Sequence, residues 1–364
     1  MQSAMVICGA YVSRLDFRGG DVIQISFLDP SAPEWTSVLD RCAHDCYHRP
    51  GWMRAAEIGD NGRACAIYAT TGSHELLVPF IRRALPSGEW DAVSPYGYGG
   101  PLVSELTPAG FQEAAMHAAV EALRDAGCIA WFIRLHPMLN ADWRCSVGNI
   151  VEHGPIVSID LTKTEAQHWS ETVHGHRSDI SKARRAGVEV RIDSDLAALA
   201  RFVELYWQSM DRLRASDYYY FDKRYFETLR REASGSLRLF IAEERGCMIG
   251  GALVSLAKSS GILQGHLCAV DSRHLHYQPL KMLIHAQREW GRAHGYKRLN
   301  LGGGRGRGGQ SEDSLYKFKR GFSPDTHMFR TQRLIVNPQR YVTLCGGNAG
   351  VLLERDGFFP AYRR

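Results

Sequence analysis

Residues 237–270, LRLFIAEERGCMIGGALVSLAKSSGILQGHLCAV, decide the fold, because they read as three consecutive β-strands. LRLFIAEE, GGALVSLAK and GILQGHLCAV are rich in the apolar and β-branched residues typical of strands, and SSG marks a turn. The next segment, PLKMLIHAQREWGRAHG (279–295), has helical periodicity and ends on Gly295, and YKRLNLG (296–302) reads as another strand. Strands followed by a helix and a further strand predict an α/β unit.

The first half of the chain follows the same plan without any residue-level repeat. RACAIYAT (63–70) and ELLVPFIRRAL (75–85) read as strands, and CIAWFIRL (128–135) reads as a buried strand. Between them, residues 107–127 predict a helix with Thr107 as N-cap, Pro108 as first residue and Gly127 as stop. We therefore expect a mixed α/β (α+β) protein of two domains, residues 1–155 and 156–364, joined by a crossover near residues 150–165.

The composition is that of a soluble globular protein, with 364 residues of which 45% are hydrophobic and 23% charged. No run approaches the roughly 18–20 apolar residues of a membrane span, so we expect no membrane insertion. The start, MQSAMVICGAYVSRLDF, has no basic residue ahead of its apolar run and is a poor signal peptide. The net charge of +5 permits an anionic partner without requiring one.

The nine cysteines are scattered and form no C-x-x-C pair. Cys42 and Cys46 alternate with His44 and His48, but no second pair of ligands lies nearby in the sequence. We therefore expect no metal site. Free thiols without a disulfide framework are typical of a reducing compartment, which predicts a cytoplasmic protein.

The stretch LGGGRGRGGQSEDSLYKFKRGFSP (301–324) lacks the G-x-x-x-x-G-K-[ST] pattern of a P-loop. Its first three glycines follow a predicted strand, where they permit positive φ or the close approach of a ligand. Arg305 and Arg307 would then lie at the mouth of the cleft that forms there. The alternative for residues 305–310 is a flexible surface loop.

The segment SEDSLYKFKRGF (311–322) predicts a short helix capped by Ser311. Its apolar side chains fall on one face at spacings of three and four: Leu315, Phe318 and Phe322. Lys317 and Lys319 cannot both share that face, and solvated lysines are the ordinary expectation.

Four segments together resemble the Fem-type (FemABX-like) family of aminoacyl-tRNA-dependent peptidyltransferases. They are SPYGYGGPL (94–102), HRSDISKARRAGVEVRI (176–192), YWQSMDRLRASDYYYFDKRYFETL (206–229), and HGYKRLNLGGG (294–304) with DSLYKFKRGFSP (313–324). The resemblance covers most of residues 90–330 in the family's order. It implies two tandem GNAT-like domains and the transfer of an amino acid from aminoacyl-tRNA to an amine, on a cell-wall precursor or a small peptidic metabolite.

The resemblance also implies roles for individual residues. Lys319, with Phe318 beside it, matches the lysine that lies where negative charge develops on the tetrahedral intermediate. An aminoacyl ester is already activated, so its aminolysis needs positioning more than a protein nucleophile. The glycines at the strand end are expected to line the cleft: Gly302, Gly303 and Gly304.

Further residues are expected to bind the acceptor. Arg212 matches a position that contacts an anionic part of the acceptor, and Arg214 and Tyr219 follow in the same segment. Tyr218, Tyr219 and Tyr220 must point in different directions, so at least one is expected in the core. Tyr96 and Tyr98 lie on a Pro/Gly-rich loop and are expected to line the acceptor pocket, the alternative being a well-packed turn.

A basic cluster is expected to carry the phosphates of the tRNA acceptor stem, with strongly salt-dependent binding. Its members are Arg177, Lys182, Arg184, Arg185 and Arg191, and we expect Arg305 and Arg307 to add to it. The alternative is a solvated helix face without a ligand.

The donor is inferred from an absence. Acyl-CoA-dependent GNAT domains hold the CoA pyrophosphate on a glycine-containing turn at a helix N-terminus. The corresponding segment here, AVDSRHLHYQPLKMLI (269–284), has no glycine, and Pro279 removes an N–H. This favours aminoacyl-tRNA as co-substrate, with no cofactor. An acetyl-CoA-dependent N-acetyltransferase and a non-catalytic RNA-binding protein on the same scaffold are the alternatives.

Overall fold

The computed structural model describes residues 15–16, 22–104, 107–108, 110–304, 313–354 and 357–364. The chain forms two compact units, one of residues 1–153 with 329–364 and the other of residues 154–328. The boundary expected near residue 155 lies close to the observed one. Residues 329–364, however, belong with the first unit rather than the second, because the strand that they begin pairs there.

The first unit contains the predicted strands at 63–70, 75–85 and 128–135 and a helix between the last two. The elements up to residue 135 are β1 (Leu15–Asp16), β2 (Val22–Leu28), α1 (Pro33–Arg41), α2 (Pro50–Gly59), β3 (Arg63–Thr70), β4 (Glu75–Ala84), β5 (Trp90–Val93), β6 (Leu102–Val103), α3 (Phe111–Asp125) and β7 (Cys128–Leu135).

The first sheet is antiparallel from β1 to β5, and β6 pairs with β4. β5 and β7 are parallel, and the crossover that such a pair requires is α3. On one face, Phe111 of α3 joins a buried cluster with Trp131. On the other face, Trp35 of α1 and Met53 of α2 join a cluster with Leu77. The unit is therefore a sheet covered by helices on both faces.

Helix α3 begins later than the sequence predicts. Its N-cap is Gly110, with φ of +92°, and its first residue is Phe111. The amide of Phe111 donates to the carbonyl oxygen of Pro108 at 3.1 Å, and the Thr107 hydroxyl donates to the carbonyl oxygen of Ser104. Thr107 and Pro108 thus belong to a turn before the helix, and the prediction that they cap and open it is wrong.

The second unit has its own strands and helices. They are β8 (Asn149–Asp160), α4 (Glu165–Glu171), α5 (His174–Arg185), β9 (Glu189–Asp193), α6 (Leu199–Leu213), α7 (Lys223–Ala233), β10 (Leu237–Glu244), β11 (Cys247–Ala257), β12 (Ile262–Val270), α8 (Pro279–Ala293), β13 (Arg298–Gly302) and α9 (Ser314–Arg320). The segment expected to connect the two halves, residues 150–165, contains the boundary between the units, and most of it lies in the strand Asn149–Asp160, which the sequence analysis does not predict.

The second sheet repeats the plan of the first. β9 to β12 are antiparallel, β12 and β13 are parallel with α8 as their crossover, and β13 is antiparallel to β8. One face packs on α8, where Leu283 joins a buried cluster with Leu263 and Leu299. The other face meets α6, because Gly251 leaves space for the ring of Phe202: a Cβ there would lie 2.7 Å from it.

The chain then returns to the first unit. β14 (Thr326–Ile335) begins within the second unit, and its residues from Arg330 to Ile335 pair antiparallel with β7. α10 (Pro338–Leu344) follows, and its Tyr341 is buried in a cluster with Ile129. No helix among the described residues is long and apolar enough to cross a membrane.

Candidate functional site

The site lies where two parallel strands of the second unit separate. β12 and β13 pair only from Ile262 to Gln264 against Arg298 to Asn300. β12 nevertheless continues along β11 to Val270, while the register of β13 with β8 shifts between Asn300 and Gly302. The two strands thus leave an opening after Gln264, and the strand end at Gly302 lies beside it.

The predicted glycines shape the strand end. Gly302 has φ of +74°, and its amide donates to the side-chain oxygen of Asn300 at 2.8 Å. Gly304 leaves space for Asp313, since a Cβ at this position would lie 2.1 Å from a carboxylate oxygen. Gly303 presents its carbonyl oxygen to the lysine described next. These contacts explain why glycine is required at positions 302 and 304 in particular.

Lys319 reaches this strand end from α9. Its Nζ donates a hydrogen bond of 2.6 Å to the carbonyl oxygen of Gly303. Burial lowers the pKa of Lys319 to about 8, although Cys268 and Asp313 favour the charged form. Lys319 is therefore the fixed and partly buried lysine of α9, whereas Lys317 is exposed.

Helix α9 is held by a histidine that the sequence did not single out. Asp313 caps the helix by accepting from the amides of Leu315 and Tyr316, while the predicted cap Ser311 lies outside the described residues. Nε2 of His176, on α5, lies 2.9 Å from the carbonyl oxygen of Phe318. Its ring packs against Phe318 and Phe322 with centroids 5.2 and 4.7 Å apart. Phe318 thus orients the helix through packing.

A cysteine adds to the surroundings of Lys319. Cys268 on β12 is exposed, and the positive charge of Lys319 favours its thiolate. The surrounding protein nevertheless raises the pKa of the Cys268 thiol, because desolvation is the larger effect. The sequence offered no signal for it beyond its place in a strand.

Charged side chains in the segment before α8 and in its first turn are paired with other side chains. The Asp271 carboxylate accepts from the amide and the guanidinium of Arg273, and these bonds hold its pKa well below the ordinary range. Pro279 opens α8, and Lys281 in the first turn pairs with Asp179 at 2.5 Å. Pro279 thus leaves the first position of α8 without the N–H group that a pyrophosphate would need there.

The acceptor-binding residues predicted on α6 are exposed. Arg212 lies in its last turn, and Arg214 follows with φ of +49°. Tyr218, Tyr219 and Tyr220 are 43%, 41% and 37% exposed, so the expectation that one of them is core is wrong. The neighbouring Phe221 is buried instead. The carbonyl oxygen of Tyr219 accepts from the hydroxyl of Tyr206 at 2.7 Å, which ties the tyrosine segment to α6.

Tyr96 and Tyr98 lie in the first unit, where they are half-buried. The ring of Tyr98 packs edge-on against those of Tyr47, His136 and Phe329. Gly97 between the two tyrosines has φ of +121°, and a Cβ there would lie 2.0 Å from the ring of Tyr47. These contacts are those of a tightly packed turn, and a role of Tyr96 and Tyr98 in acceptor binding stays a prediction.

The cations of the predicted basic cluster differ in their contacts. Arg177 donates to the carbonyl oxygen of Trp169 at 3.3 Å, and Arg184 lies 2.5 Å from Nε2 of His285. In the described part of the second unit, Lys182 and Arg185 are exposed and have neither an ion pair nor a hydrogen bond from their side chains. The predicted Arg305 and Arg307 lie outside the described residues. Of the four arginine and lysine side chains predicted on α5, Lys182 and Arg185 are thus the two without a side-chain contact in the described part of the chain.

A metal site is not found among the described residues, since no three His, Cys, Asp or Glu side chains are grouped for one. His48, which the sequence places near Cys46, instead donates to the carbonyl oxygen of Gly100 at 3.0 Å. Burial lowers its pKa to about 3.

Comparison with known proteins gives a family model and several folds. Residues 171–320 match the model of the acetyltransferase (GNAT) domain. The crystal structure of FemX is 13% identical with a TM-score of 0.63, covering 87% of this chain and 99% of FemX. L-PGS from Bacillus licheniformis is 13% identical with a TM-score of 0.53, covering 85% of this chain and 93% of that one.

A third structure has the same fold. It is the C-terminal domain of a putative lysylphosphatidylglycerol synthetase from Agrobacterium fabrum, 13% identical with a TM-score of 0.52, covering 87% of this chain and 97% of that one. No curated protein matches the chain. The predicted α/β fold of two GNAT-like units in tandem is confirmed. Residues 171–320 are thus similar to a GNAT acetyltransferase domain, and this fold indicates an acyltransferase.

Proposed function

We propose that this protein transfers an amino acid from aminoacyl-tRNA to an amine acceptor and so forms an amide bond. The observation that carries the proposal is the hydrogen bond of 2.6 Å that fixes Lys319 at the end of β13, beside the opening between β12 and β13. An ester carbonyl bound in this opening would develop its negative charge next to a cation that is already in place.

The reaction needs no nucleophile from the protein. The acceptor amine attacks the ester carbonyl carbon, and the Lys319 ammonium stabilises the oxyanion of the tetrahedral intermediate. The bond from the carbonyl carbon to the ribose oxygen then breaks, and that oxygen takes the proton that the amine nitrogen gives up. Orienting the two substrates supplies much of the rate, since the ester is already activated. Arg212, Arg214 and Tyr219 are proposed to bind anionic or polar groups of the acceptor.

The donor is proposed to be a charged tRNA rather than acyl-CoA. The start of α8 supports this choice, because Pro279 lacks an N–H and the Lys281 ammonium is already paired with Asp179. Lys182 and Arg185, both on α5, are proposed to contact phosphates of the tRNA.

A second candidate, an acetyl-CoA-dependent N-acetyltransferase, is favoured by the family model that matches residues 171–320. The two candidates differ in the donor that they bind. We would titrate the protein with charged tRNA and, separately, with acetyl-CoA at low and moderate salt. We would then follow transfer of a radiolabelled amino acid to a panel of amine acceptors.

Salt-sensitive binding of charged tRNA, with no binding of acetyl-CoA, is the expected result. Binding of acetyl-CoA without binding of tRNA would overturn the proposal in favour of the acetyltransferase. A third outcome is binding of tRNA without transfer of the amino acid to any acceptor. If Lys319→Ala also leaves the affinity for tRNA unchanged, this outcome would favour a non-catalytic RNA-binding protein.

A further inference from the structure

Four buried polar residues form one row across the second sheet. Ser255 of β11 is opposite Gln264 of β12, Gln264 is opposite Asn300 of β13, and Asn300 is opposite Ser158 of β8. Their exposed fractions are 0%, 3%, 0% and 0%, in that order. Polar side chains in such a place are costly unless hydrogen bonds compensate for the water they lose.

The row lies on the face of the sheet away from α8. Alternate residues of a strand point to opposite faces, and the neighbours Leu263 and Leu299 belong to the cluster that packs on α8. Gln264 and Asn300 therefore point the other way. They do so at the last paired position of β12 and β13, where the two strands begin to separate.

Asn300 connects this position to the strand end. Its side-chain nitrogen donates to the side-chain oxygen of Gln264 at 2.7 Å. Its side-chain oxygen accepts from the amide of Gly302 at 2.8 Å. The residue after Gly302 is Gly303, whose carbonyl oxygen accepts from Nζ of Lys319. One amide side chain thus links β12, the turned end of β13 and the lysine.

We propose that Asn300, oriented by Gln264, is a positioning residue that sets the Gly303 carbonyl and thereby places the Lys319 ammonium. The inference rests on the proposed function for its kinetic part. Its structural part, the place of Lys319, is measurable without any substrate. Without the Asn300 side chain, the strand end would lose its link to β12 and the ammonium its fixed acceptor.

The test compares three variants. Asn300→Ala removes both side-chain hydrogen bonds without adding charge. Gln264→Met removes the link between Asn300 and β12 but keeps the bond from Gly302 to Asn300; it also removes a bond of 3.2 Å to the carbonyl oxygen of Gly265. Ser255→Ala is the matched control, because its hydroxyl is buried in the same row and has no hydrogen-bond partner among the described residues. The pKa of Lys319 would be followed by NMR of the reductively ¹³C-methylated protein, with Lys319→Arg to assign the signal.

Asn300→Ala is expected to lower kcat about tenfold, the equivalent of one hydrogen bond, with KM for the donor changed less. The pKa of Lys319 is expected to rise from about 8 towards the value of a solvated lysine, as the ammonium moves to water. Gln264→Met should shift both quantities in the same direction by less, and Ser255→Ala should shift neither.

The outcomes separate the two proposals. A shifted Lys319 signal without aminoacyl transfer by the unmodified protein would overturn the proposed function and support the positioning role. A lower melting temperature in both Asn300→Ala and Gln264→Met, with the Lys319 signal and kcat unchanged, would overturn the positioning role. If Asn300→Ala does not fold, Gln264→Met alone decides by the same two readouts.

Discussion

Nε2 of His176 lies 2.9 Å from the carbonyl oxygen of Phe318, one residue before Lys319. The same ring fills the space beside Gly321, where a Cβ would lie 2.4 Å from Nε2. Backbone and ring contacts thus join α5 to the last turn of α9. The orientation of the lysine therefore depends on a residue about 140 positions earlier in the chain.

Gly321→Ala is expected to lower the free energy of unfolding by about 1–3 kcal/mol, as for other overpacked sites, because the ring of His176 has to move. Chemical denaturation measures this change. Gly175→Ala is the control: it lies in α5, and a Cβ there meets nothing within 4 Å. This control is expected to be neutral or stabilising. Equal effects of the two substitutions would contradict the close contact.

Lys319→Ala is expected to lower kcat about 10²-fold, the usual cost of losing one partner of an oxyanion. Affinity for charged tRNA should be largely kept, since the ammonium acts on the reacting carbonyl. Single-turnover transfer and a filter-binding titration separate these effects. Lys317→Ala, on the exposed side of the same helix, should leave both unchanged. A loss of tRNA affinity equal to the loss of rate would assign Lys319 to binding instead.

The rate is expected to fall on the alkaline side. Since burial lowers the pKa of Lys319 to about 8, the ammonium is lost as the pH rises through that value, and the oxyanion loses its cation. Initial rates of transfer from pH 6 to 9.5, corrected for hydrolysis of the ester without enzyme, measure this. Arginine stays charged throughout this range. The Lys319→Arg variant should therefore be slower overall, but its rate should not fall on the alkaline side. An unchanged fall in that variant would assign the pKa to another group.

Cys268 gives a chemical probe of the opening. Among the described cysteines, Cys247 and Cys268 are exposed, and only Cys268 lies near Lys319. Maleimide should react slowly with Cys268, because desolvation raises the pKa of the thiol, and the adduct should block transfer. Cys268→Ser should be resistant to this inhibition, whereas Cys247→Ser should be inhibited like the unmodified protein. Equal inhibition of both variants would place the sensitive thiol elsewhere.

The proposed tRNA surface is tested by its salt dependence. Lys182→Ala and Arg185→Ala should each weaken binding of charged tRNA and reduce the slope of log K against log salt by about one unit. Arg201→Ala, which removes an exposed cation of α6 that is paired with Glu204, is the control. If the slope of log K against log salt stays the same in both α5 variants, Lys182 and Arg185 do not contact tRNA and this face of α5 is only solvated.

Much of the fold follows from local sequence patterns. The strands at 63–70, 128–135 and 237–270 and the helix at 279–293 were predicted because their apolar spacing shows which faces are buried. NIVEHGPIVSID reads only as a connection between the two halves, whereas it forms the strand β8. Its strand conformation depends on pairing with β13, some 140 residues away. Such a long-range partner leaves no local signal.

The site was predictable only in part. Lys319 and the glycines at 302–304 were singled out by their resemblance to a family, but a sequence does not show that Gly303 accepts from the lysine. Asn300 reads as an ordinary polar residue in a strand, and its link to Gln264 exists only in the paired sheet. The prediction that one of the three adjacent tyrosines is in the core is wrong, because the buried residue there is Phe221.

The strand β14 has a consequence for how the protein is made. The first unit is not a continuous stretch of chain, because its sheet is completed by residues 330–335 pairing with β7. During synthesis, residues 154–328 leave the ribosome before that pairing can occur. The unit that is synthesised first is thus completed last. Until then, β7 has unpaired backbone N–H and C=O groups along the edge that later pairs with β14, and these groups can pair with other chains. A nascent chain stopped at residue 328 should therefore need a chaperone more than the complete one.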